Sequence, residues 1–533
     1  MYSSYTTLQR AQLAKQEYLD TQEVFLGIYA PGRNAALKAS LQDQLHRKFL
    51  LTDSLRPEAL GSAAGVLLVR EDLFLMSTAL SCFADALRSG ADYVTSDAVF
   101  GYSGVTTLYH SQGFAACPGC ALVSRELLRR CQAEARDPEN PVELLTLAAK
   151  LSRSHVCLPL ALAHYERDIC AEDVWSVKGK RVFIMSHLLD MTGAPIVLVS
   201  AVPVLRSMGY EVLVLGPSDG GSLHLFLDAG ASVITRSSCR NVSDAWGMAL
   251  CADFVIANTV VMARAVRALS GTAVPVLWWL HDAFAGYPFI THKIPKVLAD
   301  NVHICAVGSH ATAAMHSVRP DFEIEQLIYG LPDYATENFV RTDLGYNRGR
   351  PLFATVGSFE RRKGHDIFCK AIRLLPPEVR EKASFLFVGQ AADKEMMDSV
   401  RTLTADYPEN VYYCKRLIRD EIKSLMEQCT GLVCASRDDP MPTFVTEGLI
   451  FGKPSIVSEH TGTAGLISEG RNGFVYHNDD PQQLAVLLEH AIEHPEELAS
   501  MRTECRKMYE QYYSKEAFEQ TLRAAVEDLT AKK

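Results

Sequence analysis

Short apolar runs alternate with amphipathic stretches between about residues 176 and 530. The runs are rich in β-branched or aromatic residues and show no polar alternation, which is typical of parallel strands buried on both faces. The stretches between them have helical spacing; in one of these, Ile367, Ala371, Leu374 and Leu375 share a face. The pattern predicts repeated β-α-β units and therefore an α/β fold.

Ten of the apolar runs are predicted to be strands, and a polar break at 343–350 divides them into two sets. The break contains glycine, and Pro351 begins the strand that follows, so we interpret it as a linker between two doubly wound domains. A cleft between two such domains is the usual ligand site. The predicted strands are 181–185, 211–215, 254–257, 276–280 and 303–307, then 353–356, 384–388, 411–413, 431–435 and 455–457.

The part of the chain before about residue 173 has a different organisation. A strand-like run occupies 24–29, and apolar runs that begin at Val66 and Ala91 each follow a helical stretch. This pattern predicts a third, compact α/β domain at the N-terminal end. We therefore expect domains at 1–172, 173–345 and 346–533.

Length, charge and the pattern of apolar residues indicate a multidomain protein for which neither a nucleic-acid partner nor a membrane-spanning segment is expected. The 533 residues are too many for one core, since domains usually hold about 100–200 residues. The net charge of -10 gives no reason to expect nucleic acid as a partner. The N-terminus lacks the pattern of a secretory signal, and the apolar stretch 194–215 is interrupted by Arg206 and Glu211. We therefore expect a cytoplasmic protein.

The 14 cysteines are scattered, and several lie inside apolar runs, as buried small hydrophobic residues do in a reducing compartment. Cys117 and Cys120 form the one close pair. A zinc site would need a second pair of ligands, and a redox site an activated thiol, and the sequence indicates neither. We interpret the pair as part of a tight turn.

The loop from Gly357 to Gly364 follows a predicted strand and precedes a predicted helix, which places it at the carboxyl edge of a sheet. Arg362 and Lys363 lie together in it. An arginine can bind phosphate through a fork of donors, and a lysine adds a point charge. Taken alone, such a loop is more often a solvated basic turn.

A second loop, after the predicted strand 431–435, contains Asp439 and leads into a predicted helix at Pro442–Thr443 that continues through Glu447. The amides of the first helical turn lack partners within the helix and favour phosphate or an electron-rich hydroxyl group. Two carboxylates at this spacing can bind polyhydroxyl groups. Taken alone, the pair is more often a helix cap and a surface acid.

The order of these motifs resembles the retaining GT-B glycosyltransferases of family 4, also called group 1. Asp439 and Glu447 stand where that family has its E-x7-E element, and the runs from Gly452, Thr461 and Gly470 match its following strand and glycine-bearing loops. The resemblance covers about 350 residues. It implies an α/β fold of the GT-B type, with two Rossmann-like domains that face a cleft.

The resemblance also implies how the second domain holds a nucleoside diphosphate sugar. Asp439 would bind a sugar hydroxyl group, Glu447 the ribose, and Arg362 and Lys363 the diphosphate. The remaining donor-binding residues that it implies are Gly357, Ser358, Pro442, Thr443 and Phe444.

This sequence departs from the family at one position of that loop. Ser358 occupies a place where many relatives have arginine. Charge neutralisation would then depend on Arg362, Lys363 and backbone amides, with Arg361 as a substitute.

The first GT-B domain resembles the family less closely. Gly193 matches the glycine that lets the backbone approach the donor phosphate. His281, followed by Asp282, matches a His-acid element near the donor sugar; the alternative is a strand-end histidine that makes a structural hydrogen bond. Ser309 is a secondary candidate.

The N-terminal third resembles a shortened GT-A glycosyltransferase of family 2. Glu71 and Asp72 are what remains of that family's metal-binding acids, and Val69 stands where the leading aspartate would be. To bind a divalent ion on a sugar diphosphate, the protein needs more than one well-placed carboxylate ligand. We therefore expect a non-catalytic domain that binds an acceptor or supports a homo-oligomer.

The resemblance to the GT-B family implies transfer of a hexose from a nucleoside diphosphate sugar to a hydroxyl group, with retention at the anomeric carbon. The acceptor would be a glycan, a lipid-linked sugar or a protein, in polysaccharide or glycoconjugate synthesis. No metal or other cofactor is expected, and the protein would act in the cytoplasm or at the inner face of a membrane. The alternatives are a GT-B epimerase or phosphorylase, and an inactive partner of another transferase.

Overall fold

The computed structural model describes residues 24–31, 34–102, 105–112, 119–176, 179–237, 239 and 243–531. In these parts of the chain, no helix combines the length and the apolar character that crossing a membrane requires. Their strands form a 15-stranded sheet and a six-stranded sheet.

The N-terminal part of the large sheet mixes parallel and antiparallel pairs. β3 pairs with β1 in parallel and with β7 antiparallel, and β5 is antiparallel to both β6 and β7. The strands are β1 (Leu26–Tyr29), β2 (Phe49–Thr52), β3 (Gly65–Val69), β4 (Phe74–Leu75), β5 (Tyr93–Tyr102), β6 (Val105–His110), β7 (Cys120–Ser124) and β8 (His155–Tyr165). The helices are Ala35–Gln42, Pro57–Leu60, Ala79–Arg88, Arg125–Glu134, Pro141–Leu151 and Ala171–Val174.

The second part of the large sheet is a parallel, doubly wound sheet in the order β15-β14-β13-β12-β9-β10-β11. The strand order reverses at β9, so the loops after β9 and β12 border a crevice at the carboxyl edge. The strands are β9 (Lys180–Met185), β10 (Tyr210–Gly216), β11 (Ser232–Thr235), β12 (Phe254–Asn258), β13 (Val276–Leu280), β14 (Val302–Ala306) and β15 (Glu325–Gln326). The α-helices are Gly193–Ser207, Leu223–Asp228, Ala263–Leu269 and Ser309–His316.

The two parts of the large sheet meet at β6 and β11, which pair antiparallel with Ile234 opposite Tyr109. Side chains reinforce this junction: Arg236 pairs with Asp168 at 3.1 Å, and the buried His110 lies 3.6 Å from Asp219. The N-terminal region therefore extends the first doubly wound sheet edge to edge. The domain limits expected from the sequence stay predictions.

The six-stranded sheet is parallel, in the order β18-β17-β16-β19-β20-β21. Here the order reverses at β16, so the crevice lies between the loops that follow β16 and β19. The strands are β16 (Leu352–Val356), β17 (Ser384–Val388), β18 (Val411–Cys414), β19 (Gly431–Cys434), β20 (Ser455–Ser458) and β21 (Gly473–Tyr476). The α-helices are His365–Leu374, Pro377–Arg380, Lys394–Asp406, Arg419–Gln428, Thr443–Ile450, Pro481–Glu493, Pro495–Ser500, Arg502–Met508 and Lys515–Ala531.

Each of the ten predicted strands is present, with ends that agree to within a residue or two. One detail of the predicted helix packing is wrong. Ile367, Ala371 and Leu375 are buried, but Leu374 is 50% exposed. The helix ends at Leu374, and Leu375 directly after it turns inward instead.

The final helix, Lys515–Ala531, returns to the first doubly wound domain. The ring of Phe518 stacks on that of Trp279 with centroids 5.9 Å apart, and Arg523 donates a hydrogen bond to the Ser207 hydroxyl at 2.6 Å. The backbone amide of Leu331 also donates to the carbonyl of Tyr513 at 2.8 Å. These contacts join the two doubly wound domains on the side of the C-terminal helix.

Candidate functional site

A cleft of about 510 Å³ lies between the two doubly wound domains, at the carboxyl edges of both sheets. It is lined from the first domain by the loops after β9, β12 and β13, and from the second by the loops after β16 and β19. Eight residues singled out from the sequence line it: Gly193, His281, Asp282, Arg362, Lys363, Asp439, Pro442 and Thr443.

Lys363 and Asp439 form an ion pair inside this cleft, with 2.5 Å between Nζ and Oδ2. The Asp439 side chain is only 5% exposed, so this carboxylate is taken almost entirely out of water. Gly364 makes the approach of the two loops possible. Its φ is +65°, and a Cβ there would lie 1.8 Å from the carbonyl oxygen of Ala435, so a larger residue would push the loops apart.

Arg362 lines the cleft and is held by a neighbour in its own loop. Its Nε donates to the Glu360 carboxylate at 2.8 Å, and the Ser358 hydroxyl donates to the other oxygen of the same carboxylate. Burial favours a higher pKa for Glu360, but the bond from Ser358 and the charge of Arg362 outweigh it and lower the pKa. Glu360 is therefore a stable anion that fixes Arg362.

The other residues of this loop lie beside the cleft. Gly357 and Ser358 lie outside its lining, and Ser358 is connected to the lining residue Arg362 through the Glu360 carboxylate. Arg361 also lies outside it; its side chain is exposed, and its backbone carbonyl accepts a hydrogen bond from Arg437.

Glu447 lies in the second turn of the helix Thr443–Ile450, which begins directly after Pro442. It is buried behind the cleft lining, as is Phe444. Burial raises the pKa of Glu447, although Arg419 donates to its carboxylate at 2.6 Å. The Arg419 guanidinium also stacks on the ring of Tyr334, 4.2 Å from the centroid.

Arg419 was missed by the sequence interpretation. It opens a different helix, Arg419–Gln428, and is separated from Glu447 by 28 positions. No motif in the sequence links the two residues.

Gly193 begins the helix Gly193–Ser207 and faces open space in the cleft. A Cβ at this position would meet no atom within 4 Å. The preceding residue, Thr192, is fixed by hydrogen bonds from its amide and hydroxyl groups to Asp190. The start of this helix can therefore be approached by a ligand without obstruction from a side chain at 193.

His281 and Asp282 follow β13 and line the cleft without pairing as acid and base. Burial, reinforced by the nearby His187, lowers the pKa of His281 to about 3, so its imidazole is neutral at neutral pH. Its Nε2 atom is buried and has no hydrogen-bond partner among the described residues. Asp282 instead accepts a hydrogen bond from the amide of Val260, and burial raises its pKa to about 6.

Thr259 is a cleft residue that the sequence interpretation missed. It is a β-branched residue with φ 71° and ψ 164°, a backbone region that is populated almost only by glycine. Its carbonyl accepts from the indole of Trp278 at 2.8 Å, and its amide donates to the carbonyl of Trp279. These bonds hold a conformation that propensity alone would not predict.

Ser309 is placed elsewhere. It opens the helix Ser309–His316 and lines a neighbouring cavity of about 590 Å³ with Phe284, Arg437 and His460. It does not line the cleft that holds Lys363.

The acidic residues of the N-terminal region are bound within the protein. Asp72 accepts hydrogen bonds from the amides of Ala36 and Leu37 at the start of a helix, at 3.1 and 3.0 Å. Glu71 receives two bonds from Arg167, each of 2.7 Å. The described parts of the chain contain no group of three or more His, Cys, Asp or Glu side chains arranged to hold a metal ion.

The Cys117–Cys120 pair lies partly outside the described residues, because the description resumes at 119. Cys120 itself is buried, and burial raises the pKa of its thiol to about 12. This thiol is therefore protonated and unreactive at neutral pH.

Comparison with protein families gives two consecutive matches. Residues 178–326 match the family described as glycosyl-transferase family 4, and residues 337–508 match glycosyl transferases group 1. The two matched segments coincide with the two doubly wound domains that border the cleft.

Two similar proteins are a glycosyltransferase of Methanocaldococcus jannaschii, described as uncharacterized, and spore coat protein SA of Bacillus subtilis. The first is 26% identical over 197 residues, which are 36% of this chain and 53% of that protein. The second is 27% identical over 156 residues, which are 27% of this chain and 40% of that protein. The matches span about half the length of these relatives.

Solved structures with the same architecture include HepE from Anabaena in complex with UDP-glucose, with a TM-score of 0.54 at 17% identity. It is matched over 65% of this chain and 99% of its own. Sucrose-phosphate synthase from Thermosynechococcus elongatus gives a TM-score of 0.54 at 15% identity, over 66% of this chain and 100% of its own. These likenesses confirm the predicted GT-B fold class.

Proposed function

We propose, from its place among the group 1 GT-B glycosyltransferases, that this protein transfers a hexose from a nucleoside diphosphate sugar to a hydroxyl group with retention at the anomeric carbon. One observation carries the proposal. Two cations, Arg362 and Lys363, and the carboxylate Asp439 converge on one cleft with the neutral His281 opposite. This combination suits a ligand that has both a diphosphate and several hydroxyl groups.

The diphosphate would lie against Arg362, Lys363 and the start of the helix Gly193–Ser207. Its approach would exchange the Lys363–Asp439 ion pair for a Lys363–phosphate contact. Asp439 would then be free to accept a hydrogen bond from a sugar hydroxyl. HepE, which shares the fold, has been solved with UDP and with UDP-glucose, which supports a nucleotide sugar as the donor here.

Glu447 would bind the ribose from behind the cleft lining, where Arg419 donates a hydrogen bond to its buried carboxylate. Gly357, Ser358 and Phe444 would support this half of the site from outside the lining. His281 would contact the sugar from the first domain as a neutral imidazole.

The reaction would be driven by stabilisation of the leaving diphosphate. Negative charge would grow on it as the bond to the anomeric carbon breaks, and Arg362, Lys363 and the helix start at Thr443, which line the cleft, would stabilise that charge. Because these groups can neutralise a diphosphate, we propose that no metal is required. A closed cleft would also exclude water, which would otherwise hydrolyse the donor.

The acceptor is proposed to be a glycan, a lipid-linked sugar or a protein, in polysaccharide or glycoconjugate synthesis. We place the reaction in the cytoplasm or at the inner face of a membrane. For the N-terminal region we propose a non-catalytic role in acceptor binding or in self-association, because Glu71 and Asp72 are occupied by structural contacts.

The experiment is to incubate the protein with a panel of nucleoside diphosphate sugars, each with and without glycan, lipid-linked and peptide acceptors. We expect one donor to give a glycosylated product, with the anomeric configuration retained in its NMR spectrum. A changed donor in the absence of acceptor would indicate an epimerase instead. No heat on calorimetric titration with any donor would indicate an inactive partner, an alternative that Ser358 motivates.

A further inference from the structure

We propose that Asp438 is a positioning residue: its carboxylate joins the two doubly wound domains and sets the geometry in which the two halves of the cleft meet. The proposal rests on the proposed function for its kinetic consequence, but the contact itself is independent of any substrate. Asp438 directly precedes Asp439 in the loop after β19.

Three donors from the first domain converge on this carboxylate. Oδ1 accepts from the amide of Phe284 at 3.1 Å and from Nε2 of His310 at 2.7 Å, and Oδ2 accepts from the amide of Ala285 at 2.8 Å. The side chains of Asp438 and His310 are 13% and 7% exposed. Hydrogen bonds to an ionised acceptor are stronger than neutral ones, and burial removes competition from water.

The hydrogen bonds of Asp438 lie close to the proposed site on both sides of the cleft. Phe284 and Ala285 follow His281 and Asp282 within a few residues, so the bonds link the loop that carries Asp439 to the loop that carries His281. A shift of the Asp438 loop would therefore displace groups on both sides of the cleft relative to each other.

The Asp438 loop is also anchored within its own domain. Arg437, the preceding residue, makes two 2.8 Å bonds to Asp366 and one to Asp479. Asp438 thus belongs to a loop that is fixed in the second domain, and its carboxylate accepts hydrogen bonds from the backbone of the first domain. Burial favours a higher pKa for Asp438, but the hydrogen bonds from His310 and the two amides outweigh burial and lower the pKa. The carboxylate that joins the two domains is therefore the ionised form.

The test is Asp438→Ala, with Asp438→Asn as the milder change and Glu459→Gln as the matched control. Glu459 is an acid in the next loop whose described contacts, to His477 and Asn478, stay within the second domain. Circular dichroism confirms that each variant is folded. Should Asp438→Ala fail to fold, His310→Ala removes one of the three hydrogen-bond donors to Asp438 and tests the same contact.

We expect Asp438→Ala to lower kcat/KM for transfer by about 10²-fold, the scale on which misplacement of groups by about 1 Å acts. Its affinity for a nucleoside diphosphate should fall much less in calorimetry, because Arg362, Lys363 and Glu447 lie in the second domain and only the Gly193 side of that site lies in the first. Small-angle scattering should show a larger radius of gyration than for the parent and for Glu459→Gln. Asp438→Asn should fall between, since one amide oxygen cannot replace two carboxylate oxygens.

The scattering experiment separates this proposal from the proposed function. If the parent protein transfers no sugar, the function fails, and a larger radius of gyration for Asp438→Ala would still support the contact. A parental scattering profile together with parental kinetics would overturn the proposal. Equal losses in transfer and in nucleotide affinity would also overturn it, because they indicate damage to the second domain alone.

Discussion

Two acidic loops of this protein occupy equivalent places, each at the carboxyl end of a buried strand, and have different surroundings. After β3, Glu71 is bound by Arg167, and Asp72 accepts from two amides at a helix start. After β19, Asp439 pairs with Lys363, which is itself a lining residue of the interdomain cleft. The first pair is committed to the N-terminal region, and the second faces a space that a ligand can enter.

The difference shows that a carboxylate at a strand end does not by itself indicate a binding site. What matters is whether its partner is also available to a ligand. Arg167 bridges Glu71 and Asp173 within the N-terminal region. In the proposed donor site, Lys363 would exchange Asp439 for a phosphate.

The largest effect should come from Lys363→Ala, which removes a cation from the leaving diphosphate. We expect turnover to fall by on the order of 10²-fold or more, the usual result of losing one electrostatic donor. The control is Lys382→Ala, a 55% exposed lysine that pairs with Glu493 on the same domain. A folded Lys363→Ala variant with parental turnover would remove Lys363 from the mechanism.

Asp439→Asn should have the next largest effect. The substitution keeps the size of the side chain but removes the negative charge of the group that would accept a hydrogen bond from a sugar hydroxyl. We expect the rate of transfer to fall by about 10- to 100-fold, because a hydrogen bond to a charged acceptor is stronger than one to a neutral acceptor. Binding of the bare nucleoside diphosphate should be much less affected, and calorimetry beside a transfer assay measures both. If both quantities fall equally, Asp439 does not contact the sugar.

A smaller effect, on stability and not on turnover, is expected for His110→Gln at the junction of the N-terminal region. Burial alone favours a lower pKa for His110, but Asp219 and Asp97 outweigh it and raise the pKa to about 9. The folded protein therefore binds this proton more tightly than the unfolded chain.

The contribution of His110 is complete below its ordinary pKa of 6.5 and is lost as the pH rises through about 9. Denaturant unfolding between these values should show stability that declines with pH in the parent and declines less in His110→Gln. Identical pH profiles for the two proteins would show that the ion pair does not stabilise the junction.

The smallest effect should come from Asp72→Ala, which removes the acceptor at the start of the helix Ala35–Gln42. We expect a loss of about 1 kcal/mol in stability, typical of a helix cap, and unchanged transfer. Thermal unfolding measures the first, with Asp72→Asn as a variant that keeps one acceptor oxygen. A large loss of transfer with little loss of stability would contradict this, because it would show that Asp72 has a functional role and not a structural one.

Much of the fold could be predicted because buried parallel strands have a strong local signature. Periodicity located ten of the 13 described strands in the two doubly wound domains and missed β11, β15 and β21. The motifs around Lys363 and Asp439 lie on loops that the strand order brings to one crevice. The pairing of β6 with β11 could not be predicted, because short strands far apart in the chain carry no signal of their register.

The same limit applies within the site. Asp438 lies beside a recognised motif, but its partners are 128 to 154 positions away, and only the folded chain shows that they meet. Thr259 has a backbone conformation that its residue type disfavours, so local propensity predicts the opposite of what the hydrogen bonds to Trp278 and Trp279 impose.

The most direct measurement is a crystal structure of the protein soaked with a nucleoside diphosphate such as UDP. The proposed function predicts that the diphosphate lies in the interdomain cleft in contact with Lys363 and Arg362, beside Gly193, with Lys363 released from Asp439. A nucleotide bound at another place, or a bound diphosphate with the Lys363–Asp439 ion pair still intact, would contradict it.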